Sequence, residues 1–210
     1  MRNLGVLVGF APWIVFTVLC SPSTWEWATL TALLVAVILV VPDWVRYREV
    51  GLLDAVSIVF FGVLALLALV LDRDGLIWVE DRAQLLSSAA LFLVSAASLA
   101  VRRPFTEYYA RRSVPKEYWT SPLFRRVNVA ITAVWTVVFL LNALCDLLVV
   151  AMPGTSTAFN WIVPVLLLVA AIKFTIWYPE HARQQERGGR PSPAAEAGTA
   201  DSAGRADTGS

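Results

Sequence analysis

The sequence has little charge, cysteine or histidine, and each shortage excludes a class of protein. Only 16% of the 210 residues are charged, whereas soluble domains carry about 25%, so a soluble fold of this size is excluded. Two cysteines exclude a disulfide scaffold, and a single histidine excludes a histidine-built metal centre. A net charge of +1 argues against a nucleic-acid partner, because phosphate binding needs a basic surface.

The motifs of soluble enzymes are missing as well. The chain has no nucleophile elbow, no HExxH, no CxxC and no glycine-rich phosphate loop. Asp72 and Asp74 match the DxD of metal-dependent transferases over two residues only, and with Gly75 they predict a tight turn instead. We therefore predict no catalytic, cofactor or metal site and no enzymatic activity.

Hydrophobic residues, in contrast, make up 58% of the chain, and the mean hydropathy is +0.65. Six runs between charged residues approach the length of about 17 to 25 residues that crosses a bilayer. These runs are apolar on all sides and show no ten-residue alternation, so they predict α-helices and not β-barrel strands. The runs are residues 4–20, 26–41, 52–71, 84–101, 127–152 and 158–178.

The predicted fold class is therefore all-α, a polytopic transmembrane helical bundle with six spans in residues 1–178. The first run follows no signal-peptide pattern and is taken as a retained span. It contains Gly9 and Pro12, so five spans plus a re-entrant amino-terminal segment is the alternative. Residues 179–210 are rich in Pro, Gly, Ala and Ser and contain no aromatic residue, which predicts a disordered cytoplasmic tail.

The basic residues predict the orientation. Fourteen Lys and Arg lie on one side of the predicted membrane, whereas only Arg73 and Arg82 lie on the other. Because cationic loops stay in the cytoplasm, both termini are predicted to be cytoplasmic, which requires an even number of spans. Most Trp and Tyr residues fall at predicted membrane interfaces. Trp13 and Trp135 fall in mid-span, where we expect them to pack against neighbouring helices.

The loop between the fourth and fifth spans is basic and aromatic. Phe105, Tyr108, Tyr109 and Arg112 share one helical face, which predicts a short interfacial amphipathic helix over residues 105–113 on the inner leaflet. We expect the loop to contact anionic inner-leaflet lipids or a partner in the division or wall-building machinery; an ordinary positive-inside anchor is the alternative. The candidate residues are Arg102, Arg103, Phe105, Tyr108, Tyr109, Arg111, Arg112, Lys116, Trp119, Arg125 and Arg126.

The start of the fifth span has its own signal. Ser121 followed by Pro122 is the pair expected at a helix N-cap and first turn, so the fifth helix should begin there, ahead of its apolar run.

Ionisable and strongly polar residues within the spans are functional candidates, because they are costly in lipid. They are Asp54, Asn142, Asp146 and Lys173. Asn142 and Asp146 are four residues apart and share a face, which predicts interhelical hydrogen bonds or, alternatively, a transport or proton-handling role. Lys173 differs from Asp146 in depth by roughly 13 Å, so we expect it to approach Asp54 or to snorkel.

The fourth span is rich in Ser and Ala, which predicts a central or dimer-facing helix and a possible homo-oligomer. Cys20 and Cys145 both fall near outer ends of spans. A disulfide between them is conceivable, but two free thiols are the preferred prediction.

Several segments, in order, resemble one family. They are GFAPWIVF at residues 9–16, WVRYREV at 44–50, FGVLALL at 61–67, RP at 103–104, PKEYW at 115–119 and RVNVAITAVWTVVF at 126–139. Together they resemble the intracellular septation protein A (YciB/IspZ) family of bacterial inner-membrane proteins. The sequence departs from the family pattern in a longer basic loop and a long tail.

The resemblance implies a role in cell-envelope upkeep and septum formation, through contacts with the elongation and division machinery and without catalysis. We therefore predict a non-enzymatic inner-membrane scaffold with no cofactor. The alternative is a small solute or ion transporter that uses the polar residues of the fifth span.

Overall fold

The described part of the protein consists of helices and their connections, without a strand. A computed structural model describes residues 4–20, 24–152 and 162–188. The helices are α1 (Leu4–Gly9), α2 (Ala11–Leu19), α3 (Trp25–Tyr47), α4 (Leu52–Val70), α5 (Arg73–Ala100), α6 (Thr106–Arg111), a 3₁₀ turn η1 (Lys116–Tyr118), α7 (Pro122–Ala151) and α8 (Val163–Gly188).

Among these elements, α3, α4, α5, α7 and α8 are long and apolar enough to cross a membrane. Many of their large apolar side chains are exposed, such as Leu69 at 85% and Leu166 at 62%. An apolar surface of this extent on long helices is the surface that lipid covers. The chain is therefore an all-α multi-pass membrane protein, which confirms the predicted class.

The first predicted span is not one continuous helix. Residues 4–20 form α1, of 6 residues, and α2, of 9 residues, with Phe10 between them. Pro12 lies in the first turn of α2, where its missing N–H and its ring interrupt the hydrogen bonds that would join the two helices. Neither helix approaches the length of about 17 residues that crosses a bilayer. The sequence suggested an interruption at Gly9 to Pro12, and the helix is interrupted there.

The α1–α2 segment nevertheless runs alongside α4 and in the same direction. Trp13 Nε1 donates to Ser57 Oγ at 2.6 Å, and three residues further on Phe16 contacts Phe61. Both Trp13 and Phe16 are buried. The segment therefore lies within the bundle and does not return to the end from which it starts.

Aromatic rings join this segment to α7. Phe10 stacks on Trp135 with ring centroids 4.3 Å apart, and Trp135 Nε1 donates to Thr175 Oγ1 on α8 at 3.0 Å. Trp135 is fully buried. The packing role predicted for Trp13 and Trp135 is thus confirmed, and these rings form the centre of the core.

The fourth spanning helix begins earlier than predicted. α5 starts at Arg73, whereas the apolar run starts at residue 84. The Asp72 side chain accepts a hydrogen bond from Gly75 N at 3.0 Å and is the N-cap. The tight turn predicted for Asp72 to Gly75 is therefore wrong. The Asp72 hydrogen bond caps the first turn of a helix, and this helix continues past Arg82.

The last helix extends beyond its predicted end. α8 continues through Pro179 to Gly188, so the disorder predicted from residue 179 is wrong for residues 179–188. Past the proline, His181 stacks on Trp177 one turn earlier in the same helix, with ring centroids 4.6 Å apart, and Ala182 is buried; the stacked rings support the continuation of the helix across Pro179. Residues 189–210 of the predicted tail lie outside the described residues.

Two further predictions concern single positions. The Ser121 side chain accepts a hydrogen bond from Phe124 N at 3.1 Å, and Pro122 is the first residue of α7, so the predicted start of the fifth spanning helix is confirmed. Cys20 and Cys145 are both free thiols.

Candidate functional site

One end of the bundle is closed by α6, which lies between the ends of α5 and α7. Thr106 is 1% exposed. Its Oγ1 donates to the Asn128 carbonyl at 3.1 Å and shares a second hydrogen bond with Thr132 Oγ1 at 2.8 Å. Phe105 N donates to Ser98 Oγ at 3.3 Å. We call α6 and these contacts the α6 junction.

Charged groups extend the α6 junction to α3 and α4. The Arg112 guanidinium donates to Asp43 Oδ2 at the carboxyl end of α3 and to the Tyr108 hydroxyl. The Tyr108 hydroxyl donates in turn to the Glu49 carbonyl oxygen at 3.1 Å. The connection between α3 and α4 is therefore fixed to the connection between α5 and α7 at the same end of the bundle.

Tyr109 occupies a space that two glycines leave open. A Cβ atom on Gly9 would lie 2.7 Å from the Tyr109 hydroxyl, and a Cβ on Gly51 would lie 2.8 Å from it. Tyr109 is 3% exposed. Its hydroxyl lies beside the Asp54 carboxyl, but forms no hydrogen bond of regular geometry with a described residue. Any side chain at either glycine would displace the ring.

The titration of the α6 junction follows from these contacts. Burial, and then the nearby Asp54 carboxyl, raise the pKa of Tyr109 far above its ordinary value. Burial also raises the pKa of Tyr108, against the opposing effect of Arg112. Partial burial would lower the pKa of Arg112, but its bond to Asp43 and the neighbouring Tyr108 raise it. The guanidinium is therefore a permanent charge.

The apolar face predicted for this helix packs into the protein, not into lipid. Phe105 and Tyr109 share a face, as predicted, but both are buried, and α6 is shorter than residues 105–113. The break between α1 and α2 explains this placement, because the residues at the break pack against this helix. The rings of Phe10 and Phe105 meet edge to face with centroids 5.8 Å apart, and Gly9 lies against Tyr109. Phe105 and Tyr109 are therefore not part of a lipid or partner surface.

The basic candidates remain accessible. Seven basic candidates are exposed around the α6 junction. Arg112 is paired with Asp43, and we call the other six the basic surface. They are Arg102, Arg103, Arg111, Lys116, Arg125 and Arg126, all exposed. Because their backbone is held by the buried contacts of the α6 junction, a ligand would meet them already arranged.

Trp119 orders part of this surface. Its Nε1 donates to the Val114 carbonyl oxygen at 2.9 Å. Arg111 lies 5.1 Å and Lys116 lies 6.0 Å from the centre of its ring, within cation–π range. Arg111 also pairs with Glu107 one turn away on α6. Trp119 therefore acts as a platform for two of the six cations.

Backbone geometry at the same end is unusual at two arginines. Arg48 ends α3 with φ 55°, and Arg102 follows α5 with φ 57°. Residues other than glycine adopt this left-handed backbone conformation at a cost in free energy. At Arg102 the strained residue itself belongs to the basic surface.

The intramembrane candidates lie elsewhere, between α5 and α7. Asp146 is 7% exposed, and Ser88 of α5 lies beside its carboxyl. The oxygen atoms Asp146 Oδ2, Asn142 Oδ1 and Gln84 Oε1 are buried and have no hydrogen-bond partner among the described residues. We call these four residues the acceptor seam. Ser88 of α5 lies within hydrogen-bonding reach of the Asp146 carboxyl, so one interhelical contact of the predicted kind is present, whereas none is formed at the Asn142 oxygen with a described residue.

The two remaining candidates are not brought together. Asp54 is buried beside Tyr109 at the α6 junction, whereas Lys173 is exposed on α8 and forms no salt bridge with a described residue. The predicted approach of Lys173 to Asp54 is therefore wrong, because α6 fills the position beside Asp54.

Several functional positions were not predicted from the sequence. Asp43 was not a candidate, and it lies 69 residues from Arg112, which was, so no local pattern connects the two. Gln84 and Ser88 could have been predicted, because they are four residues apart and share one face of their helix, as Asn142 and Asp146 do on theirs. No sequence pattern marked Thr106.

Neither a metal-binding group among the described residues nor a match to a known protein assigns a function to the chain. Among the described residues, no group of three or more His, Cys, Asp or Glu side chains is placed to hold a metal ion. No protein-family model matches the chain, and no match to a curated protein or to a solved structure was found.

Proposed function

We propose that this chain is a non-enzymatic scaffold of the bacterial cell envelope, which holds septation or envelope-maintenance proteins at the inner membrane. In this proposal both termini and the basic surface face the cytoplasm, as the asymmetry of Lys and Arg favours. The observation that carries the proposal is the basic surface itself, six exposed cations on a backbone fixed by buried hydrogen bonds.

The physical argument concerns the cost of binding. A flexible loop loses conformational entropy when it binds, whereas a segment that is already ordered keeps most of its interaction energy. The α6 junction orders the backbone through Thr106 and Arg112, and Trp119 holds two of the side chains. The same segment carries two acidic residues, Glu107 and Glu117, against the six exposed cations, so the surface has a net positive charge and favours an anionic ligand.

Two kinds of anion meet such a surface in a membrane protein. Anionic inner-leaflet lipid contributes about 1 kcal/mol for each nearby basic residue and would hold the α6 end at the headgroups. An acidic face of a division or wall-synthesis protein would bind to the cations that point away from the bilayer. We propose that lipid positions the surface and the protein partner uses it. The small residues of α5 are not an oligomer interface in this proposal, because Ser87, Ser95 and Ser98 are buried within the chain.

Site-specific photocrosslinking in growing cells tests the partner. A photoreactive amino acid at Tyr118, which is 55% exposed beside the basic surface, should crosslink identified division or wall-synthesis proteins. The same amino acid at Trp27, 72% exposed at the opposite end, is the matched control and should not. Equal recovery from both positions, or recovery of lipid alone from Tyr118, would refute the scaffold proposal.

A second candidate function is transport of a small solute or ion. It is favoured by the acceptor seam, whose buried oxygens lack partners. Reconstituted proteoliposomes containing the full chain should then show solute- or ion-dependent flux that Asp146→Asn abolishes and Asp74→Asn retains. Flux indistinguishable from that of empty vesicles would rule out this candidate and leave the scaffold proposal intact.

A further inference from the structure

A shallow apolar groove runs along one side of α4, and we call it the α4 groove. It has a volume of about 400 Å³ and is lined by Ala55, Val56, Val59, Phe60 and Val63. Ala55, Val59 and Val63 are four residues apart and form one row on the helix surface, and their short side chains leave the depression. Val59 is 65% exposed and Val63 is 51% exposed, so no described part of the chain fills the groove.

The walls of the α4 groove are fixed before a ligand binds. Phe60 packs against Trp13 of the α1–α2 segment with ring centroids 4.9 Å apart, and the Trp13 indole is held by its hydrogen bond to Ser57. The valines of the groove are β-branched, and such side chains have one strongly preferred rotamer in a helix. A ligand that enters the groove therefore loses little free energy to the ordering of protein side chains.

The length and depth of the α4 groove match one hydrocarbon chain of a lipid. The groove extends from Ala55 to Val63, which is about 12 Å along the helix axis, and one leaflet of a bilayer contains about 15 Å of hydrocarbon. The groove begins one turn after Gly51, the N-cap of α4, and ends near the middle of this spanning helix. An acyl chain that starts at the α6 end of the bundle would therefore lie along it.

Tyr108 connects the α4 groove to charged residues near the α6 junction. Gly51 lies one turn before Ala55 and against the Tyr108 ring, because a Cβ atom at Gly51 would be 2.8 Å from Tyr108 Cε1. The Arg112 guanidinium lies 4.6 Å from the centre of the same ring and pairs with Asp43. One cation and one anion therefore lie at the end of the groove where the headgroup of a lipid would be.

The segment between α3 and α4 adds a second pair of opposite charges. Arg48 and Glu49 are both exposed, and the Glu49 carbonyl oxygen accepts the hydrogen bond from Tyr108 that holds this segment beside the groove. Among the described side chains at this edge, two cations therefore meet two anions. A zwitterionic headgroup complements such an edge, since its phosphate attracts a guanidinium and its ammonium attracts a carboxylate.

We propose that the α4 groove binds one phospholipid whose zwitterionic headgroup carries a primary ammonium, of the phosphatidylethanolamine class. One acyl chain lies along residues 55–63. The phosphate meets the guanidinium groups of Arg48 and Arg112. The ammonium meets the carboxylates of Asp43 and Glu49. The inference depends on neither proposed function, since a scaffold and a transporter can both carry a bound lipid, and the site differs from the basic surface, which favours anionic lipid.

Native mass spectrometry of the purified full chain tests the site. The protein is reconstituted with equimolar phosphatidylethanolamine and phosphatidylglycerol and extracted in detergent, and the retained lipids are identified by mass. Wild type should retain one phosphatidylethanolamine that Val59→Trp loses, because the larger indole occupies the groove. Val165→Trp changes a valine that is 50% exposed on α8; it is the matched control and should retain the same lipids as wild type. Equal retention by wild type and Val59→Trp would overturn the proposal.

The headgroup assignment has its own test in the same measurement. Loss of phosphatidylglycerol instead of phosphatidylethanolamine from Val59→Trp would overturn it. Glu49→Gln should lower the retained phosphatidylethanolamine about two- to fivefold, which is the effect of one exposed charge pair. Glu26→Gln, at an exposed glutamate at the opposite end, should leave it unchanged. Identical retention by Glu49→Gln and wild type would contradict the assignment.

Photocrosslinking covers the case in which Val59→Trp does not fold. Wild type in nanodiscs is irradiated with a phosphatidylethanolamine that carries a diazirine in its acyl chain, and the adducts are mapped by peptide mass spectrometry. Adducts should concentrate in residues 55–63 relative to residues 137–144 of α7, which also present exposed apolar side chains. Adducts distributed equally over the two segments, or the same pattern with a phosphatidylglycerol probe, would overturn the proposal.

Discussion

The α6 junction and the acceptor seam are both polar regions of one helix pair, α5 and α7, but they are completed differently. At the α6 junction the buried hydroxyl of Thr106 has two partners, and Arg112 meets an acidic residue from another helix. At the acceptor seam three buried oxygens have no partner among the described residues, whereas at the α6 junction only the Tyr109 hydroxyl is in that position. The difference indicates that hydrogen bonds and an ion pair hold the first region in place, whereas packing of α5 against α7 holds the second.

This contrast has an energetic meaning. A buried polar group that is fully paired costs little and fixes one arrangement of its neighbours, whereas an unpaired one costs about 1 to 3 kcal/mol. The α6 junction is therefore expected to lose stability when a partner is removed. The acceptor seam is expected to lose little when a side chain is changed to a neutral one.

The largest effect is expected where Tyr109 fills its space. Gly9→Ala would place a methyl group 2.7 Å from the Tyr109 hydroxyl and should destabilise the protein by about 1 to 3 kcal/mol. Gly62→Ala is the matched control, because nothing lies within 4 Å of its Cβ position; it should be neutral or stabilising. Chemical unfolding in detergent measures both. Equal stability of the two variants would show that Tyr109 is not held tightly.

The next effect concerns the threonine pair. Thr106→Val removes two hydrogen bonds and leaves the Thr132 hydroxyl without its Thr106 partner. The free energy of unfolding should fall by about 1 to 3 kcal/mol. The double variant Thr106→Val/Thr132→Val should recover part of this loss, since replacing both partners leaves fewer unpaired groups. Thr31→Val is the control, because its hydroxyl bonds only to its own helix, at Trp27. A double variant less stable than the sum of the single changes would contradict the pairing.

The pH dependence of the α6 junction is the third test. The pKa of Tyr109 is raised in the folded protein, so the stabilisation is present below the unfolded value of about 10 and is lost as pH rises above it. The loss should approach about 1.4 kcal/mol per pH unit. Tyr109→Phe should reduce this alkaline slope to the part that Tyr108 contributes, since the pKa of Tyr108 is raised as well, whereas Tyr118→Phe, at an exposed tyrosine, should leave the slope unchanged. An alkaline slope as steep in Tyr109→Phe as in wild type would contradict the assignment.

The smallest effect is expected at the partly exposed ion pair. Asp43 and Arg112 have side chains that are 27% and 32% exposed, so a double-mutant cycle with Asp43→Asn and Arg112→Gln should give a coupling of about 0.2 to 1 kcal/mol. Added salt should reduce it. A coupling well above this range that resists salt would mean that the pair is more buried than its exposure indicates.

The parts of the fold that depend on composition and local pattern were predictable. Long apolar runs indicated the spanning helices, and Ser121 with Pro122 indicated the start of α7. The start of α5 after Asp72 and the continuation of α8 past Pro179 were not predictable from hydropathy. Polar residues extend a helix beyond its apolar run when an N-cap or a pair of stacked rings supports them. Hydropathy marks the lipid-facing length of a helix, not its ends.

The candidate sites divide in the same way. Asn142 and Asp146 share a face because of helical periodicity, and the sequence predicts this without a structure. The placement of Tyr109 against Gly9 and Gly51 depends on the break after α1, and contacts between residues so far apart in the chain leave no local pattern. Lys173 was expected either to approach Asp54 or to snorkel. The first of these expectations rested on depth alone, and depth does not exclude a third element such as α6 between the two residues.

The central claim is that the basic surface at the α6 junction directs the protein to its partners in the envelope. Fluorescence microscopy of a labelled full-length chain in dividing bacteria tests it most directly, comparing wild type with a variant that carries Gln at Arg102, Arg103, Arg125 and Arg126. A second variant with Gln at Arg73 and Arg82, at the opposite end, is the control. The account predicts that wild type and control concentrate at the division site, while the four-residue variant stays in the membrane but spreads evenly. An even distribution of wild type, or septal enrichment of the four-residue variant, would contradict it.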